Sequence, residues 1–211
     1  MDLDKISVIS APSGAGKSSL VNALLTNSDR FFLSKSHTTR LPRVGEVSGE
    51  HYYFISREAF LQKIKQNDWL EYAEVYGNFY GTCKRQFNGA NDKNIILELD
   101  IQGAMSIKQQ FPHANLIFIL PPSYAELNTR LVGRNKDDHQ VIMQRLDQAN
   151  QEVLACQNFD YVVMNDDFDR CLSQLIKILA RHGDAKQFTN EHMQPVITNW
   201  LSQYKEQRCQ E

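Results

Sequence analysis

Apolar residues along the chain gather into short runs, Ile6–Ser10, Ile95–Leu99 and Leu116–Leu120, and "YVVMN" at Tyr161–Asn165 has the same character. Each run is rich in β-branched or aromatic residues, the pattern of strands buried on both faces of a parallel sheet. After each run the period becomes helical, over Lys17–Leu25, Gln102–Phe111, Ser123–Arg134 and Phe168–His182. This alternation predicts an α/β fold, a parallel sheet core flanked by helices. From about Phe32 to Lys93 the alternation breaks. Gly- and aromatic-rich segments such as "GEHYYFIS" and "WLEYAEVYGNFYGT" surround one helical pattern, Arg57–Gln66, and predict an inserted, mostly antiparallel lobe. The polar stretch "GRNKDDHQ", Gly133–Gln140, lies between two helical patterns and reads as a solvated loop or a second insertion. Beyond Asp184, Met193, Val196, Trp200 and Tyr204 recur at three- to four-residue spacing, predicting a helix over Glu191–Tyr204 that packs on the core or on a partner.

Composition narrows the function. A net charge of -2 over 211 residues argues against broad electrostatic binding to nucleic acid or to an anionic membrane. Any bound anion must then be held by local groups. The longest apolar run, Leu116–Leu120, is far short of the roughly 20 residues a membrane-spanning helix needs. The opening "MDLDKISVIS" has acidic residues where a secretory signal is basic, so the expected compartment is the cytoplasm. Cys83, Cys156, Cys171 and Cys209 show no C-x-x-C spacing and no accompanying histidine pattern, and are expected to be reduced thiols rather than zinc ligands.

Between the first predicted strand and helix lies "APSGAGKSSL". Gly14, Gly16, Lys17 and Ser18 occupy the places of a phosphate loop, in which inward-turned backbone N–H groups at a helix start cradle phosphate oxygens. Lys17 would reach the β- and γ-phosphates and the Ser18 hydroxyl would hold Mg²⁺. Ala11 stands where the usual pattern begins with glycine. An alanine is tolerated there if its φ stays negative and no phosphate oxygen needs the space of its methyl group. In the inserted lobe, "SHTTRLPRVGE" carries Arg40 and Arg43, spaced to present two guanidinium forks to one phosphate, with Tyr52 and Tyr80 as phenolic donors. The alternative for the two arginines is surface pairing with Glu46 and Glu50.

With these residues in place, the chain closely resembles the guanylate kinase family. The matching stretches are "APSGAGKSSL", "SHTTRLPRVGEVSGEHYYF", "LEYAEVYGNFYGT", "LELDIQG", "FILPPS", "RLVGR" and "YVVMND", in the family's order, over about Ile6 to Gly183. The resemblance implies transfer of the γ-phosphate of MgATP to GMP or dGMP. It also implies a P-loop core (1–31, 94–124 and 157–190), a GMP-binding lobe (32–93), a small helical lid region (125–156) and a C-terminal helical tail (191–211). Ala11, Pro12, Ser13, Gly14, Ala15, Gly16, Lys17, Ser18 and Ser19 would then bind ATP, together with Arg130, Arg134 and Asn165, the adenine lying near Asn165 and Asp166.

On the acceptor side, Arg40, Arg43, Tyr52 and Tyr80 would hold the GMP phosphate, while Ser36, Glu71 and Thr82 read the base. A carboxylate such as Glu71 can accept guanine N1–H and N2–H together, whereas adenine turns an unprotonated N1 toward it. Asp100 is implied near Mg²⁺ through water. Glu98 stands where the family more often has aspartate, near the GMP ribose or base or orienting an arginine. Arg130, Arg134 and Arg145 would neutralise the migrating phosphoryl group, Arg145 also from the GMP side, with Lys17 and Arg40 completing the catalytic set. Asn135 replaces a usual glycine after Arg134. The expected mechanism is direct attack by a GMP phosphate oxygen, without a phosphoenzyme, as both lobes close to exclude water. The implied partners are small molecules, ATP and GMP or dGMP, with neither nucleic acid nor membrane, and the sequence is compatible with a homo-oligomer. Two rival readings are a scaffolding module without catalysis and a P-loop kinase with another acceptor. The intact phosphate loop argues against the first, and Glu71 with Thr82 against the second.

Overall fold

The computed structural model describes residues 5–75, 77–90, 93–134, 139–180 and 183–208. Its strands are β1 (Ile6–Ser10), β2 (Phe31–Ser34), β3 (His37–Thr38), β4 (Tyr53–Phe54), β5 (Trp69–Val75), β6 (Asn78–Cys83), β7 (Asn94–Glu98), β8 (Asn115–Leu120) and β9 (Tyr161–Met164). The helices are α1 (Lys17–Asn27), α2 (Arg57–Lys65), α3 (Ile101–Gln110), α4 (Tyr124–Arg134), α5 (His139–Ala155), α6 (Phe168–Leu179) and α7 (Asn190–Arg208). The four apolar runs of the sequence thus become β1, β7, β8 and β9, each within a residue of its expected bounds. They join β2 in a five-stranded parallel sheet of order β2-β7-β1-β8-β9.

β2 is the core strand that hydrophobic periodicity does not reveal. Phe31 to Ser34 pair in parallel with Asn94 to Leu97. The inserted lobe is expected to begin at about Phe32, but all of "FFLS" belongs to the parallel sheet. With only four residues and burial confined to its two ends, such a strand shows neither a continuous apolar run nor a clear alternation. The lobe's own sheet, β4-β3-β6-β5, is mostly antiparallel as expected, with only β3 and β4 running parallel.

The chain divides into two compact units, Met1–Val8 with Ser28–Ala114 and Ile9–Asn27 with Asn115–Glu211. In the first, the small lobe sheet is held by an aromatic core of its own. Phe60 of α2 stacks on Trp69 at 4.2 Å and on Phe79 at 5.0 Å, with Cys83 buried beside them. Stacked aromatics add about 0.5–1.5 kcal/mol per pair to their burial, which offsets the shortness of β3 and β4. In the second unit, β8 is fully buried from Leu116 to Leu120, and α1, α4, α5, α6 and α7 each bury an apolar stripe, among them Leu20, Leu127, Leu146, Leu175 and Trp200. No helix of the described residues is long and apolar enough to cross a membrane.

Candidate active site

β1 is buried along its whole length, and the chain leaves it through residues 11–16 to enter α1. Two backbone bonds shape this loop: Ala15 N–H donates to the Pro12 carbonyl at 3.1 Å, and Leu20 N–H to the Gly16 carbonyl at 3.1 Å. Gly14 and Gly16 adopt φ of +90° and +94°, where side-chain-bearing residues are strained. Among the described residues the non-glycine with positive φ is Asn67, so Ala11 meets the backbone condition on which alanine is tolerated. Lys17, Ser18 and Ser19 open α1, the two serines exposed.

The loop is clamped from far along the chain. Asn165, buried just beyond β9, donates from Nδ2 to the Ala15 carbonyl at 2.7 Å, across 150 residues of sequence. A Cβ added to Gly16 would lie 2.5 Å from that same nitrogen. Asn165, expected beside adenine, therefore has its amide committed to the loop, a role that no local signal in "YVVMND" discloses. Its neighbour Asp166 is exposed and pairs with Arg170 at 2.5 Å, which holds its carboxyl below the usual range. Arg130 of α4 is fixed by Glu126 at 3.0 Å and donates to the Asn165 carbonyl at 3.5 Å. Arg145 is half-buried on α5. Arg134 ends α4, but its side chain, like Asn135, lies outside the described residues.

On the acceptor side, the threonines of "TTR" tie the segment to β6. Thr39 N–H donates to the Phe79 carbonyl at 3.0 Å, Phe79 N–H to Thr39 Oγ1 at 2.9 Å, and Arg40 N–H to Thr38 Oγ1 at 3.1 Å. The Arg40 guanidinium, 5.5 Å from the Tyr52 ring centre, donates both Nη1 and Nη2 to Glu46, at 2.8 and 2.9 Å. Tyr52 and Tyr80 lie edge to face at 6.1 Å. The structure thus brings Arg40, Tyr52 and Tyr80 together, while Arg43 is exposed and offers its backbone N–H to Glu46 at 2.6 Å. Of the surface pairings weighed for the arginines, the Arg40–Glu46 pair is present. Bonded by Arg40, Glu46 has its carboxyl held down to about 2. Burial, with the charge of Glu98 next, raises the Tyr52 phenol.

The base-reading candidates form one buried cluster. Glu71 of β5 is opposite Thr82 of β6 in the ladder, and Thr82 Oγ1 donates to Glu71 Oε1 at 2.5 Å. The expected Thr82 hydroxyl donor to guanine is thus already spent on Glu71. Asp100 caps α3 by accepting the Gly103 N–H at 2.8 Å. A Cβ on Gly103 would lie 3.1 Å from Glu71 Oε2 and 3.3 Å from Asp100 Oδ1, so the helix start approaches the carboxylates closely only because this residue has no side chain. Burial pushes the Glu71 carboxyl up to about 7; the Thr82 bond opposes this and the Asp100 charge adds to it. Ser36 is buried as well. The residue before it is held by Gln86, whose Oε1 accepts the Lys35 N–H at 2.8 Å and whose Nε2 donates to the Lys35 carbonyl at 2.5 Å. Gln86 went unread in the sequence because its amide acts as a strand partner, and "KRQFNG" carries no pattern that announces this.

Among the described residues no group of three or more His, Cys, Asp or Glu side chains could hold a metal ion. Mg²⁺ in a nucleotide site takes most of its coordination shell from phosphates and water and one or two oxygens from the protein.

A parallel sheet that delivers a phosphate loop to a helix start defines a P-loop nucleotide-binding fold. The profile described as "Guanylate kinase" matches residues 4–182. The chain is 47% identical over 173 residues to guanylate kinase of Thiobacillus denitrificans, covering 81% of this chain and 83% of that one. It is 43% identical over 207 residues to guanylate kinase of Haemophilus influenzae, covering 96% of this chain and 100% of that one. The crystal structure of guanylate kinase from Anaplasma phagocytophilum matches with a TM-score of 0.68 at 35% identity, covering 83% of this chain and 84% of that one. The chain belongs to the guanylate kinase family, nucleoside monophosphate kinases that phosphorylate GMP with ATP.

Proposed function

We propose that this protein transfers the γ-phosphate of MgATP to GMP and dGMP through the residues described above, acting in the cytoplasm. A GMP phosphate oxygen attacks the γ-phosphorus in line, the bond from that phosphorus to the β–γ bridging oxygen breaks, and GDP and ADP result. Phosphoryl transfer of this kind depends on positioning and charge stabilisation rather than on a protein nucleophile. The 11–19 loop binds the ATP phosphates, with Lys17 neutralising the β- and γ-groups. Arg40, Arg43, Tyr52 and Tyr80 hold the GMP phosphate; Arg130, Arg134 and Arg145 stabilise the migrating charge. Glu98 borders the nucleotide on the tyrosine side. Ser18 and Asp100 are the residues assigned to Mg²⁺, which when bound bridges phosphate oxygens and offsets their charge. The free, buried thiols of Cys83, Cys156 and Cys171 accord with a reducing compartment.

The observation that carries the acceptor assignment is the buried Glu71 carboxylate, 5% exposed, bonded to Thr82 and flanked by Asp100. Such a group is stable as an anion only opposite paired donors, which guanine supplies on one edge. An ADP-release assay across AMP, GMP, dGMP, CMP and UMP tests this. Turnover is expected with GMP and dGMP, with that on AMP at least about a hundredfold lower, and none with excess EDTA. Comparable AMP turnover would overturn the assignment.

Binding should also depend on pH. With Glu71 at about 7 instead of its ordinary 4.5, the carboxyl is largely neutral at pH 6 and must ionise to accept two N–H groups. KM for GMP should therefore fall as pH rises from 6 to 8 and level off at the upper end. The second ionisation of a phosphate monoester, near 6, contributes in the same direction. The change remaining in Glu71→Gln measures that contribution, and an identical profile in both proteins would refute titration of Glu71.

A further inference from the structure

The C-terminal helix lies beyond residues 4–182, the segment matched by the family profile, and the reaction described above gives it no task. It is nevertheless tied at both ends. At its start, Asn190 Nδ2 donates to the Cys156 carbonyl at 2.6 Å and Asn190 N–H to the Asp160 carbonyl at 3.1 Å. Fourteen residues on, the Tyr204 hydroxyl donates to Asp147 Oδ1 of α5 at 2.9 Å. Between these ties, Ile197 and Trp200 are buried, and Tyr124 of α4 meets Trp200 and Tyr204 edge to face at 6.3 and 5.5 Å. The Trp200 indole N–H has no acceptor among the described residues, so Trp200 contributes packing and the polar tie falls to Tyr204.

The two helices that α7 joins carry arginines assigned to the migrating phosphoryl group. Arg130 lies six residues after Tyr124 on α4, and Arg145 two residues before Asp147 on α5. α4 also lines the phosphate loop, since a Cβ on Gly14 would lie 3.1 Å from Leu127 and 3.2 Å from Leu131. One face of α4 therefore meets the loop while its first residue meets α7. Packed elements pass such constraints on because a dense interior yields little before it rearranges.

We propose that Tyr204 and Asp147, with the Trp200–Tyr124 contact, are positioning residues for phosphoryl transfer. On this reading α7 braces α4 and α5 so that Arg130 and Arg145 are held in register with the phosphate loop. The inference rests on the assignment of those arginines to the migrating phosphoryl group, Arg130 from the ATP side and Arg145 also from the GMP side. It predicts a kinetic split: loosening α7 impairs use of ATP more than recognition of GMP, most of whose assigned contacts come from residues 36–82.

The test is steady-state kinetics of the full chain carrying Tyr204→Phe, Asp147→Asn or both, at a temperature where melting shows every variant folded. Each single variant should lower kcat/KM for ATP about threefold to tenfold, the effect of one lost hydrogen bond, with a smaller change in KM for GMP. The double variant should lose no more than the worse single one, because both remove the same interaction. Single variants with parental kcat/KM for ATP would overturn the brace, as would a matching rise in KM for GMP. Arg145→Gln separates the two readings. If it leaves kcat intact, the arginine assignment fails; if it lowers kcat more than tenfold while Tyr204→Phe changes nothing, the brace alone fails.

Discussion

Glu71→Gln is expected to lower kcat/KM for GMP by about 10² to 10⁴, with a far smaller effect on KM for ATP. The glutamine keeps one acceptor but turns an NH₂ toward a guanine edge made of donors, so one bond loses its charged acceptor and the other becomes a donor–donor contact. Bonds to charged groups are worth about 1.5–3 kcal/mol each, and unpaired buried partners add to the loss. The fold should tolerate the change, and its response to pH has a definite sign. Since burial raises the Glu71 carboxyl to about 7, the parent protein is stabilised by the proton it holds below 4.5, and that contribution is lost as pH rises through about 7. Glu71→Gln should therefore gain in melting temperature relative to the parent between pH 5 and 8. An intact kcat/KM for GMP would end the base-reading assignment, and a gap in melting temperature that stays constant with pH would contradict the burial argument.

Gly16→Ala is expected to damage both stability and turnover. At φ +94° the alanine is strained wherever its side chain points, and the new Cβ would meet Asn165 Nδ2 at 2.5 Å. The amide must move, leaving the Ala15 carbonyl without its partner, and the loop must open. Strain of about 1–2 kcal/mol and an unsatisfied buried acceptor of about 1–3 kcal/mol together correspond to a melting temperature lower by roughly 5–15 °C in a domain of this size. Activity should fall at least about a hundredfold, because the N–H groups that cradle the phosphates are displaced. Calorimetry and the ADP-release assay check both effects. Asn165→Ala removes the same bond without the backbone strain, so it should melt between the parent and Gly16→Ala. If Gly16→Ala melts and turns over as the parent does, the clamp is not a constraint on the loop.

These two residues show how differently the halves of the site could be read. Gly16 is visible in the sequence because the phosphate loop is a local device. A strand, a turn with two glycines and a helix start lie within about twenty residues, and each is specified by its neighbours. Arg40 and Arg43 are legible for the same reason. Glu71 gains its meaning from its ladder partner Thr82 and from α3, whose Gly103 closes on the carboxylate. Periodicity marks β5 and β6 as strand-like but does not set their register, and the family resemblance alone singled out those two residues.

The sequence by itself determined the alternation of buried strands and helices, the phosphate loop, the tolerance of alanine at position 11 and the presence of an inserted lobe. All of these depend on contacts within a few residues or on the period of apolar positions. Only the tertiary structure decided that "FFLS" completes the parallel sheet, that Asn165 holds the Ala15 carbonyl, that Arg40 is gripped by Glu46 and that Tyr204 reaches Asp147. Most of these join residues far apart in the chain, and the Arg40–Glu46 pair depends on how one loop folds back. Their partners are chosen by where the packed elements bring them, which no local pattern records.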